Sequence, residues 1–239
     1  MTKKSFKKTG ILVILFFLPV VFLLFLYPST HNYNALDVVK ENITETADFS
    51  TDESERVLLE SNLTVLGFFG NDPMDKLTAA SNLKELIYDK FKGFKRFQIL
   101  VLIPFGAEAQ AQSLQKELLK YDELKYWHFA FGTTEDIDLV FKSLKTEAKL
   151  NSSFATDHVF IIDKDRHQRG RLDDRTDREL EKNKLVYNLT SYDCIEVAEI
   201  KNKMSEDLRI LFTEYRQKRK GNFDSTSRRS DDIKTDEKN

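Results

Sequence analysis

Apolar positions along the chain fall into three patterns. Residues 11–27, ILVILFFLPVVFLLFLY, form one uninterrupted apolar run without a charge. Shorter apolar runs recur later, at LTVLGFF (63–69), FQILVLIP (97–104), KYWHFAF (125–131) and HVFIID (158–163). Runs of that length between polar turns predict strands buried on both faces. Between them the apolar residues take helical spacing. Leu77, Ala80, Leu83, Ile87 and Phe91 predict one helix. Composition predicts a second helix over 107–121, and a short third is expected around 135–147. RGRL (169–172) reads as a return strand after the turn KDRHQ. A last helix is expected over about 194–219, with Val197, Ile200, Met204, Leu208, Leu211, Phe212 and Tyr215 as its apolar stripe. The order β-α-β-α-β-α-β-β-α calls for a parallel-rich sheet with helices on both faces.

The first apolar run needs a different account. Its 17 residues, at about 1.5 Å each, reach the lower limit for crossing a hydrocarbon core of roughly 30 Å. It is longer than the usual core of a signal peptide, and no small-residue cleavage site follows, so an uncleaved single-pass anchor is expected. Pro19 is tolerated within a membrane helix. Lys3, Lys4, Lys7 and Lys8 precede the run and hold the N-terminus in the cytoplasm, which puts the rest of the chain outside it. The expected organisation is a cytoplasmic N-terminus (1–10), an anchor (11–27), a polar stalk (28–61), a folded domain (62–220) and a disordered tail (221–239).

Charge and cysteine content narrow the function classes. The formal net charge is −2, and the four N-terminal lysines leave −6 on the remainder. No concentrated basic face is available for nucleic acid, and none is expected as a partner. Cys194 is the only cysteine, so neither an internal disulfide nor a dithiol redox cycle can form within one chain.

Two stretches carry a resemblance. In FFGNDPMDKLTAASNL (68–83) an apolar strand end is followed by a turn and a helix start containing Ser81-Asn82-Leu83. In TDHVFIIDKDRHQRGRLDD (156–174) an Asp-His pair enters a strand, an acidic turn follows, and a second strand returns. Together, and in this order, they resemble the Sco/SenC family, membrane-anchored thioredoxin-fold proteins associated with copper-site assembly in cytochrome c oxidase. The resemblance implies an α/β thioredoxin-like fold, a central mixed sheet flanked by helices, behind one N-terminal transmembrane helix. It implies residence in the bacterial cytoplasmic membrane with the domain in the periplasm. The implied role is assembly or regulation of a respiratory oxidase through protein contacts. It also aligns Asp72 and Lys76 with the family's two cysteines, Pro73 with its first motif proline, and His158 with its copper-ligand histidine.

That alignment removes the family's chemistry. Thiolates at a helix start are nucleophiles and soft metal ligands; an ammonium cannot coordinate, and a carboxylate is a hard ligand that does not select Cu(I). No catalytic residue is therefore expected, and no cofactor, copper being the one candidate, at His158 with Asp72 as co-ligand. The competing expectation makes Asp72 a helix N-cap, with Pro73 at the first helical position and Asp75 at the third. Lys76 is then a solvated first-turn residue within reach of Asp72, and His158 a hydrogen-bonded surface histidine. Cys194 has two readings as well. It is a reactive thiol at the first turn of the last helix, capped by Asp193, or a small buried apolar residue. The alternatives to an oxidase-assembly role are a scaffold unrelated to respiration and a single-thiol redox enzyme.

Overall fold

The computed structural model describes residues 13–22, 35–51, 56–120 and 123–219. The chain divides into two compact units, 1–34 and 35–239. In the first, helix α1 (residues 13–22) leaves Val13, Leu15, Phe16, Leu18 and Phe22 exposed. The rest of the expected anchor and the expected tail lie outside the described residues. Among those described, no helix is long and apolar enough to cross a membrane.

The second unit is built on β3 (Leu63–Phe68), whose six residues are all buried. β4 (Phe97–Pro104) runs parallel beside it, and β5 (Trp127–Gly132) runs parallel beside β4. On the other side β6 (His158–Ile162) is antiparallel to β3, and β7 (Gln168–Gly170) closes a hairpin with β6. Two short strands cover the edges, β1 (Asp37–Lys40) on β7 and β2 (Ser50–Thr51) on β5. The sheet order is β1-β7-β6-β3-β4-β5-β2, and β8 (Tyr192–Asp193) pairs with β6.

The apolar runs are continuous because each strand feeds two cores. Leu63, Val65, Ile99, Val101 and Val159 pack on one face, and Leu66, Phe68, Leu100, Leu102 and Phe160 on the other. The first face is covered by a continuous helical run after β3, together with α4 (Glu108–Leu119) and α7 (Ser205–Arg219). That run comprises a 3₁₀ turn (Pro73–Lys76), α2 (Leu77–Leu83), a π-turn (Lys84–Tyr88) and α3 (Asp89–Phe91). The second face is covered by α5 (Thr134–Ser143), whose start is capped by Thr133 accepting from the Asp136 amide at 3.1 Å. A central strand with a parallel neighbour on one side and a β-hairpin on the other, closed by a final helix, is a thioredoxin-like arrangement.

Three expectations change. The segment expected as stalk is part of the fold from Ala35 to Thr51: β1 and β2 belong to the sheet, and Leu36, Val39, Ile43 and Phe49 are buried. Both strands are short, four and two residues, and lie within a polar, acidic stretch, so no apolar run marks them as strands. The last helix begins at residue 197 rather than 194 and passes through a π-turn (Glu199–Met204), and Val197 stays 45% exposed. The charged loop before it contains a short helix, α6 (Asp177–Glu181).

Buried ionic groups join the β6–β7 hairpin to α7. Arg169 donates to Asp163 at 3.0 Å, to Glu214 at 2.9 Å and to the Leu36 carbonyl at 2.8 Å. Arg171 donates to Asp207 at 2.6 Å, and the Tyr192 hydroxyl donates to the other oxygen of Asp207, also at 2.6 Å. Asp163 further accepts the amides of Asp165 (3.0 Å) and His167 (2.9 Å), which forms the acidic turn of the hairpin.

Candidate functional site

The corner at the end of β3 is where the sequence places the candidate site. Phe69 bridges to Ala155, the Asn71 amide donates to the Ser153 carbonyl at 2.9 Å, and the Thr156 amide donates to the Phe68 carbonyl at 3.0 Å. These bonds join the strand end to the loop that leads into β6. Gly70 lies between them at φ +69°, a left-handed conformation that glycine adopts without strain. Asp72 then caps the turn, accepting the Met74 amide at 3.2 Å, and Pro73 takes the first helical position with its ring buried. The capping geometry matches the expectation, on a 3₁₀ turn rather than an α-helix.

Lys76 does not behave as expected. Its ammonium lies 2.8 Å from the Asp157 carboxylate, with the lysine side chain 12% exposed and the aspartate 42%. It is neither solvated nor paired with Asp72. The tighter 3₁₀ turn takes residues 72 and 76 out of α-helical stacking, and the better partner arrives from the strand entrance beside His158. Asp157 also binds through its backbone, where its carbonyl accepts the Cys194 amide at 2.8 Å. The Cys194 carbonyl in turn accepts from the Asn82 side chain at 2.9 Å. Helix α2, the β6 entrance and the β8 exit thus meet at Lys76, Asp157, Cys194 and Asn82. Nothing in the local sequence around Asn82 or Asp157 announces this role beyond a polar residue among the buried Ala79, Ala80 and Leu83.

Cys194 has no exposed surface. Burial first, then the carboxylates of Asp193, Asp157 and Glu199, push its thiol well above the usual cysteine range, against a smaller opposing effect of Lys76. It also precedes the helix rather than opening it, because Asp193 caps only the Ile195 amide at 2.8 Å. The reactive-thiol reading therefore gives way to the buried one. A thiol-specific probe is expected to leave the native protein unlabelled and to react at the rate of unfolding; rapid stoichiometric labelling at neutral pH would contradict this burial.

His158 is half-buried at the start of β6, with Nδ1 3.2 Å from the Ser191 hydroxyl. Among the described residues no group of three His, Cys, Asp or Glu side chains could hold a metal ion. The donors present do not fit copper. Asp72 is engaged by the turn amide, Lys76 is an ammonium held by Asp157, and the thiol lies beneath the surface, whereas Cu(I) calls for soft, converging ligands. At this corner the ammonium and one carboxylate neutralise each other and the thiol is enclosed, so the arrangement ties three elements together.

No family model and no curated protein matches the chain. Solved structures do. The chain resembles Sco proteins in outline. It is 12% identical to BsSco, a member of the Sco family of cytochrome c oxidase assembly proteins, with a TM-score of 0.42 over 72% of this chain and 99% of that one. Against Arabidopsis thaliana ScoI, solved with copper bound, the identity is 14% and the TM-score 0.39, covering 67% of this chain and 94% of the other. A peroxiredoxin-like protein from Aquifex aeolicus matches at 15% identity and a TM-score of 0.35, over 54% and 72% of the two chains. These are likenesses of overall shape at low identity, and the thioredoxin-like assignment stands on the strand order and hairpin described above.

Proposed function

We propose that this chain is a divergent Sco-like protein that acts by contact rather than by thiol or copper chemistry. Residues 11–27 anchor it in a bacterial cytoplasmic membrane, and its thioredoxin-like domain works in the periplasm. There it assists assembly or regulation of a respiratory oxidase. The two motif stretches and the apolar N-terminal run support the Sco-like part of the reading. The ion pair between Lys76 and Asp157 supports its non-redox part: the residue aligned with the second thiol position is committed to a link between the 3₁₀ turn before α2 and the entrance of β6.

Deletion of the gene tests the reading. Loss of assembled oxidase is expected, with restoration by the wild-type chain and equally by a chain carrying Cys194→Ala. Unchanged oxidase assembly and copper content in the deletion strain would overturn the respiratory role. Loss of function in Cys194→Ala, with the fold retained, would overturn the non-redox role.

A further inference from the structure

The chain between β7 and β8 makes an ordered excursion over residues 171–189. Its base is a bridge between Arg171 and Leu189, with reciprocal backbone bonds of 2.9 and 2.8 Å, extended by the Asp174 amide donating to the Tyr187 carbonyl at 2.9 Å. Several of its polar groups bind one another, while Arg171 and Asp174 pair outside it, with Asp207 and Lys203. Glu179 accepts from the Thr176 amide (3.0 Å), the Tyr187 hydroxyl (2.9 Å) and the Lys184 ammonium (3.2 Å), and Arg175 spans from Asp173 to the Lys184 carbonyl at 2.7 Å. Leu189 is buried at the base of the excursion, but toward the tip Leu185 is 92% exposed and Val186 61%, with Leu180 and Tyr187 also exposed. A loop braced by its own hydrogen bonds that still leaves Leu180, Leu185 and Val186 in solvent offers a small apolar surface for contact with something other than water.

The position of the base argues for the occupant. β1 enters the sheet with Asp37 opposite Gly170, and the Asp37 carboxylate accepts the Leu172 amide at 2.8 Å. The excursion therefore starts beside the point where the chain arrives from its N-terminal apolar run. From Tyr27, the end of that run, to Ala35 there are eight residue steps. Fully extended they reach at most about 28 Å. In a chain anchored through 11–27, that length bounds how far Ala35 can stand from the bilayer. Two or three apolar side chains are too few for a free-standing protein interface, which commonly buries about 800 Å² per partner. They suffice for a tethered domain, whose local concentration at the membrane is set by the anchor. The flanking residues suit an interface too: Tyr187 has a polar tip on an apolar ring, and the exposed Lys182 can keep its ammonium group at headgroup level.

We propose that the 171–189 excursion rests on the lipid surface, with Leu185 and Val186 inserted below the headgroups as a second attachment that fixes the orientation of the domain. The proposal depends on the membrane-anchored reading above, and the test separates the two. The full-length chain carrying Cys194→Ala and Val186→Cys is labelled at residue 186 with an environment-sensitive fluorophore and reconstituted into phosphatidylcholine–phosphatidylglycerol vesicles. A matched protein carries the label through Ser113→Cys, an exposed site on α4. Flotation with the vesicles reports the anchor independently of the label. The expected result is blue-shifted emission at residue 186 and quenching by shallow nitroxide lipids at least threefold stronger than at residue 113. Adding Leu185→Ser is expected to weaken that quenching, which shows that insertion is not driven by the fluorophore. A protein that floats while both labels behave alike overturns the excursion proposal alone. A label at 186 that is shielded only when other membrane proteins are present overturns it in favour of a protein contact. A protein that fails to float overturns the anchor and the proposal together.

Discussion

Replacing Arg169 by Met is expected to cost about 3 kcal/mol of folding stability, the lower end of the range for breaking a buried ion pair. The guanidinium is 6% exposed and is shared by Asp163 and Glu214, each with a side chain 3% exposed. Burial opposes its charge, and the two carboxylates more than offset that, so its pKa is raised. Removing the cation strands two buried acids and the Leu36 carbonyl at once. Both acids keep some support, which is why the lower end applies. Asp163 retains the Asp165 and His167 amides, and Glu214 retains Lys218 at 2.8 Å. The effect is read as a fall in the urea midpoint of unfolding with an unchanged slope. Replacing all three groups by apolar residues of similar volume is expected to cost less than the single change, because no unpaired charge is then left in the interior. A single variant within 0.5 kcal/mol of wild type, roughly the scatter of surface substitutions, would show that this triad does not hold the hairpin to α7.

The parts of the fold that were legible in the sequence are those whose physics is local. β3, β4, β5 and β6 read as apolar runs because both faces of each strand are buried, and α2 to α3 read from the spacing of Leu77, Ala80, Leu83, Ile87 and Phe91. Asp72 was legible as a cap because capping reaches only two or three residues along the chain. The parts that were not legible depend on distant partners. Lys76 meets Asp157 across 81 positions, and Asn82 meets Cys194 across 112. No local pattern encodes either. Cys194 was open to two readings because its burial depends on β8, a strand of two residues. The edge strands β1 and β2 do not stand out from a linker because they are only four and two residues long and sit among polar and acidic neighbours.

Gly70→Ala is expected to cost roughly 2–5 kcal/mol, from two contributions that add at one position. An L-residue held in the left-handed region costs about 1–2 kcal/mol. A Cβ at Gly70 would also lie 2.2 Å from the Ser153 carbonyl oxygen and 2.8 Å from the Ala155 Cβ. Forcing extra volume into a closed space typically costs 1–3 kcal/mol. The backbone here cannot yield without loss, because the Phe69–Ala155 bridge and the Asn71 to Ser153 bond lie on either side of the clash. Relief requires moving residues 153–155 away from the strand end, and Asp157 follows two residues later. The expected consequence is a loosened Lys76–Asp157 pair and a thinner cover over Cys194. The variant should therefore show a lower unfolding midpoint together with thiol labelling faster than wild type under native conditions. Gly93→Ala is the matched control, since a Cβ there meets nothing within 4 Å. If Gly70→Ala proves as stable as Gly93→Ala and its thiol stays as protected, the corner is not the rigid junction between α2, β6 and β8 from which the non-redox reading is drawn.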